Sequence, residues 1–132
     1  MRGGEGATKL VTITVTGAAS AAEARSAAKA IANSLLVKTA IHGGDPNWGR
    51  LIAVAGRANV AFELSRAAVM IGPTTLFRNG RHHDEGAAEA AEYLKGTDIA
   101  LSVDLGSGPA SSTVWTCDLS AEYVRINAEY RT

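Results

Sequence analysis

The sequence predicts an α/β fold in which helices are interspersed with strands, a mixed α/β sandwich rather than a doubly wound parallel sheet. Three observations carry that expectation. Residues 9–16 set Leu10, Thr12, Thr14 and Thr16 against Val11, Ile13 and Val15, a β-branched alternation that fits a strand and stops at Gly17. Ser20-Ala21-Ala22-Glu23 then matches a capping box and opens an alanine-rich run of high helix propensity that reaches about Asn33, with Ile31 and Leu35 adding apolar weight. Asn79-Gly80, placed between the strand-like residues 74–78 and Arg81, is a strong signal for a tight hairpin turn.

The other elements follow from local chemistry. Residues 37–41 form a short apolar stretch that stops at Gly43-Gly44. Asp45-Pro46 has the pattern of an N-cap followed by proline at the first helical position, which predicts a second helix running to near Gly56. Residues 67–71 and 74–78 read as strands. Asp84 is the expected cap of a third helix ending at Gly96, with Ala87, Ala88, Ala90, Ala91 and Leu94 as a small-residue packing face. Strands are expected again at 99–105, at 112–117 after the Gly106-Ser107-Gly108-Pro109 loop, and at 123–127. No repeat or low-complexity linker divides the chain, so residues 1–132 read as a single domain.

Composition narrows the function. Thirteen Lys plus Arg balance thirteen Asp plus Glu, which leaves no net charge to draw in nucleic acid or anionic lipid. The longest apolar runs, such as residues 51–55, fall far short of the roughly 20 residues that cross a bilayer. Nothing in Met1-Arg2-Gly3-Gly4-Glu5-Gly6 resembles a secretory signal, so a cytoplasmic protein is expected. Cys117 is the only cysteine, and no Cys/His spacing suits zinc. A packed thiol and no metal are the expectations.

Four segments invite a chemical reading. Gly3-Gly4-Glu5-Gly6-Ala7-Thr8-Lys9 is glycine-rich, but Leu10 follows Lys9 and a strand follows the loop, so the helix that would face a phosphate is missing. The segment offers one carboxylate, Glu5, between glycines where a small ligand can approach the backbone; spacing alone fits a solvent-exposed turn acid better. His42-Gly43-Gly44-Asp45-Pro46-Asn47-Trp48-Gly49-Arg50 concentrates polar and aromatic groups beside glycines. Without a further ligand at coordinating spacing, its stronger reading is architectural: a tight chain reversal, Asp45 as cap, and Trp48 packed with Arg50 near it. His82 and His83 are adjacent, so in a strand they would point to opposite faces. The serines of residues 106–112 lack the nucleophile-elbow pattern, and a surface loop fits them better. The ending Arg125-Ile126-Asn127-Ala128-Glu129-Tyr130-Arg131-Thr132 is dense in hydrogen-bonding side chains where many chains fray.

Taken in order, Gly4-Glu5-Gly6-Ala7-Thr8-Lys9, Val37-Lys38-Thr39-Ala40-Ile41-His42-Gly43-Gly44-Asp45-Pro46-Asn47-Trp48-Gly49-Arg50, and Trp115-Thr116-Cys117-Asp118-Leu119 with Tyr123-Val124-Arg125-Ile126-Asn127 closely resemble one family. It is the bifunctional glutamate N-acetyltransferase and ornithine acetyltransferase family of arginine biosynthesis, and the resemblance covers essentially the whole chain. Departures are local: Gly3 stands where members often have Asp, Leu35 where Pro is common, and Ala121 where an aromatic residue is frequent.

The resemblance implies the fold of that self-processing, N-terminal-nucleophile aminopeptidase-like type, and a position in the C-terminal part of the second, beta chain. Members cut themselves before a threonine in an Asn-Met-Ala-Thr type motif, and the freed threonine is the nucleophile. That motif does not occur in these residues, so no catalytic residue is expected here and the remaining chain or chains of the enzyme are the expected partners. The implied reaction moves acetyl from N-acetylornithine to glutamate through an acetyl-threonine intermediate, without metal or organic cofactor. Carried over position by position, Glu5, Asn127 and Thr132 are the implied substrate-binding residues. Two alternatives stand beside this reading: a non-catalytic assembly or binding module of the same fold, and a related self-processing aminopeptidase.

Overall fold

The computed structural model describes residues 9–58 and 60–117. In chain order these form β1 (Leu10–Ala18), α1 (Ala21–Ala32), α2 (Leu35–His42), α3 (Trp48–Gly56), β2 (Ala68–Ile71), β3 (Thr74–Arg78), β4 (Arg81–His82), α4 (Ala87–Tyr93), β5 (Asp98–Asp104) and β6 (Ala110–Cys117). Single 3-10 turns at Leu64–Arg66 and Asp84–Gly86 precede β2 and α4.

The strands make one six-stranded sheet in the order β4-β3-β2-β5-β1-β6. Only the β1–β5 pairing is parallel, and the other four are antiparallel. The expectation of a mixed rather than a doubly wound sheet is therefore met. Alternation along β1 sends Val11, Ile13 and Val15 to one face, and register aligns them with Ile99, Leu101 and Val103 of β5. Val69 and Ile71 of β2 extend the same apolar face, and all eight side chains are buried. Helix α1 covers it with Ala24, Ala27, Ala28 and Ile31, and short side chains there let the helix backbone sit close to the sheet.

The start of α1 follows the sequence pattern, in part. Ser20 Oγ accepts the Glu23 N–H at 3.1 Å, as a capping box requires. Glu23 turns elsewhere: its Oε1 accepts the Ala61 N–H at 2.9 Å and ties the helix start to the connection after α3. Ser20→Ala therefore removes one cap bond and should lower stability by about 1 kcal/mol. An unshifted midpoint in urea unfolding would contradict the assignment.

Several expected boundaries are corrected. Residues 37–41 belong to a helix of their own, α2, capped by Ser34 through its bond from Val37 N–H at 3.2 Å. Helix α3 is capped by Asn47, whose Oδ1 accepts the Arg50 N–H at 3.2 Å, and not by Asp45. The reason is that Asp45 still closes the preceding helix: its N–H donates to Ala40 O at 2.8 Å. Asp84 lies in the 3-10 turn and makes no capping bond, and α4 ends at Tyr93 rather than Gly96. Of its expected packing face only Ala90 and Leu94 are buried, while Ala87 and Ala88 are exposed, because so short a helix meets the sheet along one stripe. The hairpin holds as read, with positive φ at both Asn79 (51°) and Gly80 (81°) joining β3 to β4.

Candidate functional site

Glu5, Asn127 and Thr132, and the strand expected at 123–127, lie outside the described residues. What borders the Glu5 segment is described. The Lys9 ammonium donates to Ile41 O at 3.0 Å and to Leu94 O, so one cation satisfies carbonyls near the C-terminal ends of α2 and α4. Sequence reasoning missed this role, because the two acceptors are 32 and 85 residues away and no local spacing reports them.

The segment from His42 to Arg50 is built as a chain reversal. Gly43 closes α2 and Gly44 takes φ +71°, after which Asn47 opens α3. Trp48 is not held by Arg50, as the sequence suggested. Its ring stacks on Phe77 with centroids 5.1 Å apart and meets His82 at 5.0 Å, which pins the start of α3 to the β3–β4 hairpin. Behind it, Val37, Ile41, Leu51, Ile71, Leu94 and Leu101 line a small apolar gap under Asp45, Asn47 and Arg50. The Arg50 Nε is buried there without a hydrogen-bond partner.

His82 Nδ1 lies 3.9 Å from Asp84, and His83 Nδ1 lies 3.6 Å from Glu85. These are surface pairs worth little in stability. Among the described residues no group of three or more His, Cys, Asp or Glu side chains is placed to hold a metal ion. No helix among them is long and apolar enough to cross a membrane. Ser107 serves its loop, its N–H donating to Gly17 O at 2.7 Å and its hydroxyl to Leu105 O at 3.3 Å.

The sheet face away from the helices is different in character. Thr12, Thr14 and Thr16 of β1, Ser102 and Asp104 of β5 and Met70 of β2 occupy alternate positions there, and Trp115 of β6 is 65 % exposed beside them. Toward the Gly17 end this face holds a concavity of ≈ 300 Å³ lined by Thr16, Arg66, Ala68, Met70, Thr75, Arg78, Asn79, Ser102 and Asp104. Its members come from four strands and two connections, so the polar alternation was visible in sequence but the clustering was not.

Comparison with known proteins places these features in context. The ArgJ family model matches residues 1–132. The arginine biosynthesis bifunctional protein ArgJ of Chlorobium chlorochromatii is 50% identical over 98% of this chain, which spans 30% of that relative. That of Parasynechococcus marenigrum is 44% identical over 99% of the chain and 32% of the relative. The chain thus spans about a third of the length of the curated relatives it matches. Among solved structures, ArgJ of Bacillus halodurans superposes with a TM-score of 0.85 at 43% identity, covering 96% of this chain and 60% of that one.

Proposed function

Because the chain belongs to the ArgJ family, we propose that it is the C-terminal, substrate-binding part of an enzyme that moves acetyl from N-acetylornithine to glutamate, the nucleophilic threonine being supplied by other polypeptide of the same enzyme. The observation that carries the reading is the family match over residues 1–132, supported by the 0.85 TM-score against ArgJ of Bacillus halodurans. The transfer takes two displacements. The threonine hydroxyl adds to the acetyl carbonyl, the C–N bond breaks, and the ornithine amine leaves with a proton. The glutamate amine then attacks the acetyl ester, and the threonine hydroxyl is restored. Acyl groups exchanged in this way need neither redox chemistry nor an organic carrier, and a cytoplasmic setting accords with amino-acid biosynthesis.

Within that scheme this chain supplies recognition. The Glu5 carboxylate pairs with a substrate ammonium group, and the side chains of Asn127 and Thr132 hydrogen-bond an amino-acid head group. Substituting Glu5→Gln in the complete enzyme keeps size and removes charge. It should lower kcat/KM toward acetylornithine by more than about fivefold, roughly 1 kcal/mol of barrier. A change within twofold would remove Glu5 from the site. Deleting Arg131 and Thr132 should lower kcat/KM by about tenfold or more, since a lost polar contact to substrate costs roughly 1 to 3 kcal/mol. Unaltered kinetics would return the C-terminus to a non-functional tail.

A further inference from the structure

The concavity on the open face of the sheet has a charge arrangement that neither the fold nor the proposed transfer explains. Register puts Thr16, Asp104, Ala68 and Arg78 in one row across β1, β5, β2 and β3. Neighbouring strands stand about 4.8 Å apart, so the backbones carrying Asp104 and Arg78 are separated by about 10 Å. The residue between them is alanine, whose methyl group leaves the space open. Arg66, from the turn before β2, adds a second arginine to the lining. Met70, Ser102 and Thr75 form the adjacent row, which adds one apolar side chain and two hydroxyls.

Opposite charges lining one hollow, with Arg66 beside Gly106 and Arg78 across Ala68 from Asp104, select a ligand that carries both. One Asp104 oxygen accepts the Gly106 N–H at 2.9 Å, which fixes the carboxylate and leaves its second oxygen to accept elsewhere. None of the ion pairs among the described residues engages Arg66 or Arg78. A phosphate dianion would gain from the arginines but be repelled by Asp104, and a metal cation would meet two guanidiniums. A zwitterion satisfies all three groups, since guanidinium forks match carboxylates and a carboxylate matches an ammonium.

We infer that this hollow binds a small α-amino acid, with Arg66 and Arg78 on its carboxylate, Asp104 on its ammonium, and the Ala68 and Met70 surface under its side chain. The inference does not depend on the acetyl-transfer reading, because none of these residues is assigned a part in that chemistry.

L-norvaline tests it against pentanoate, which lacks the ammonium, and butylammonium, which lacks the carboxylate. Each is titrated into the ¹⁵N-labelled chain and into its R78A and D104N variants, following backbone amides. Arg78 is exposed, and the amide oxygen that D104N introduces can still accept the Gly106 N–H, so both variants keep the fold. The expected result is saturable shifts for norvaline at Thr16, Ala68, Met70, Thr75 and Ser102, at least tenfold tighter than for either comparator, and weakened at least fivefold by each substitution. Equal binding of pentanoate would make this a plain anion site and overturn the inference. So would shifts that map elsewhere, or none at all up to tens of millimolar.

Discussion

The 132-residue chain incubated alone with N-acetylornithine and glutamate should yield no N-acetylglutamate above background and carry no acetyl adduct in intact-mass measurement. An acyl enzyme needs a nucleophile activated by a neighbouring base and donors aimed at the developing oxyanion. One described hydroxyl meets a carboxylate, Ser65 donating to Glu63 Oε2 at 3.1 Å, but both groups are exposed to water. Ser107 donates to a carbonyl of its own loop, Thr39 donates to Leu35 O at 2.7 Å, and Thr14 and Thr113 face one another at 3.3 Å across β1 and β6. Removing one oxyanion donor costs about 10² to 10³ in rate, and without the nucleophile the acetyl ester has no oxygen on which to form. Turnover by this chain with acetyl on any of its residues would overturn the proposed division of labour. If adding the polypeptide that carries the threonine restores the reaction, the division stands.

How far the sequence disclosed this molecule depends on whether the determining interactions were local. The β1 alternation, the Ser20 cap and the Asn79-Gly80 turn are set by neighbours within three residues, and each was readable. The boundary between α2 and α3 was not. Choosing between Asp45 and Asn47 as cap depends on the bond from Asp45 N–H back to Ala40 O, which belongs to the preceding helix. Helix α2 itself was hidden because residues 37–41 are too short an apolar run for periodicity to tell strand from helix. The partners of Trp48 were misjudged for a related reason. Arg50 is near it in sequence, but Phe77 and His82 reach it through the β3–β4 hairpin. The candidate substrate residues came from resemblance alone, since a carboxylate between glycines and a polar chain end have no periodicity to distinguish them from surface.

Gly17→Ala should destabilise the chain by about 3 kcal/mol or more, a loss read from urea unfolding, because strain and steric overlap act together at this position. Gly17 has φ +67°, where a Cβ costs about 1 kcal/mol even in open space. The space is not open: an added Cβ would lie 2.0 Å from Asp104 Oδ1 and 2.8 Å from Gly106 N. Moving Asp104 aside breaks its bond to the Gly106 N–H, and moving Gly17 disturbs its carbonyl, which accepts Ser107 N–H at 2.7 Å and Gly108 N–H at 2.8 Å. Gly44→Ala is the control that separates the two contributions. It has nearly the same φ, +71°, with nothing within 4 Å of an added Cβ. That variant should lose only about 1 kcal/mol, the backbone cost by itself. If the two substitutions cost the same, the close approach of Asp104 to Gly17 is not what holds the end of β1. The same carboxylate lines the amino-acid hollow, so Gly17→Ala should also weaken norvaline binding under conditions where the chain stays folded, whereas Gly44→Ala should leave it unchanged.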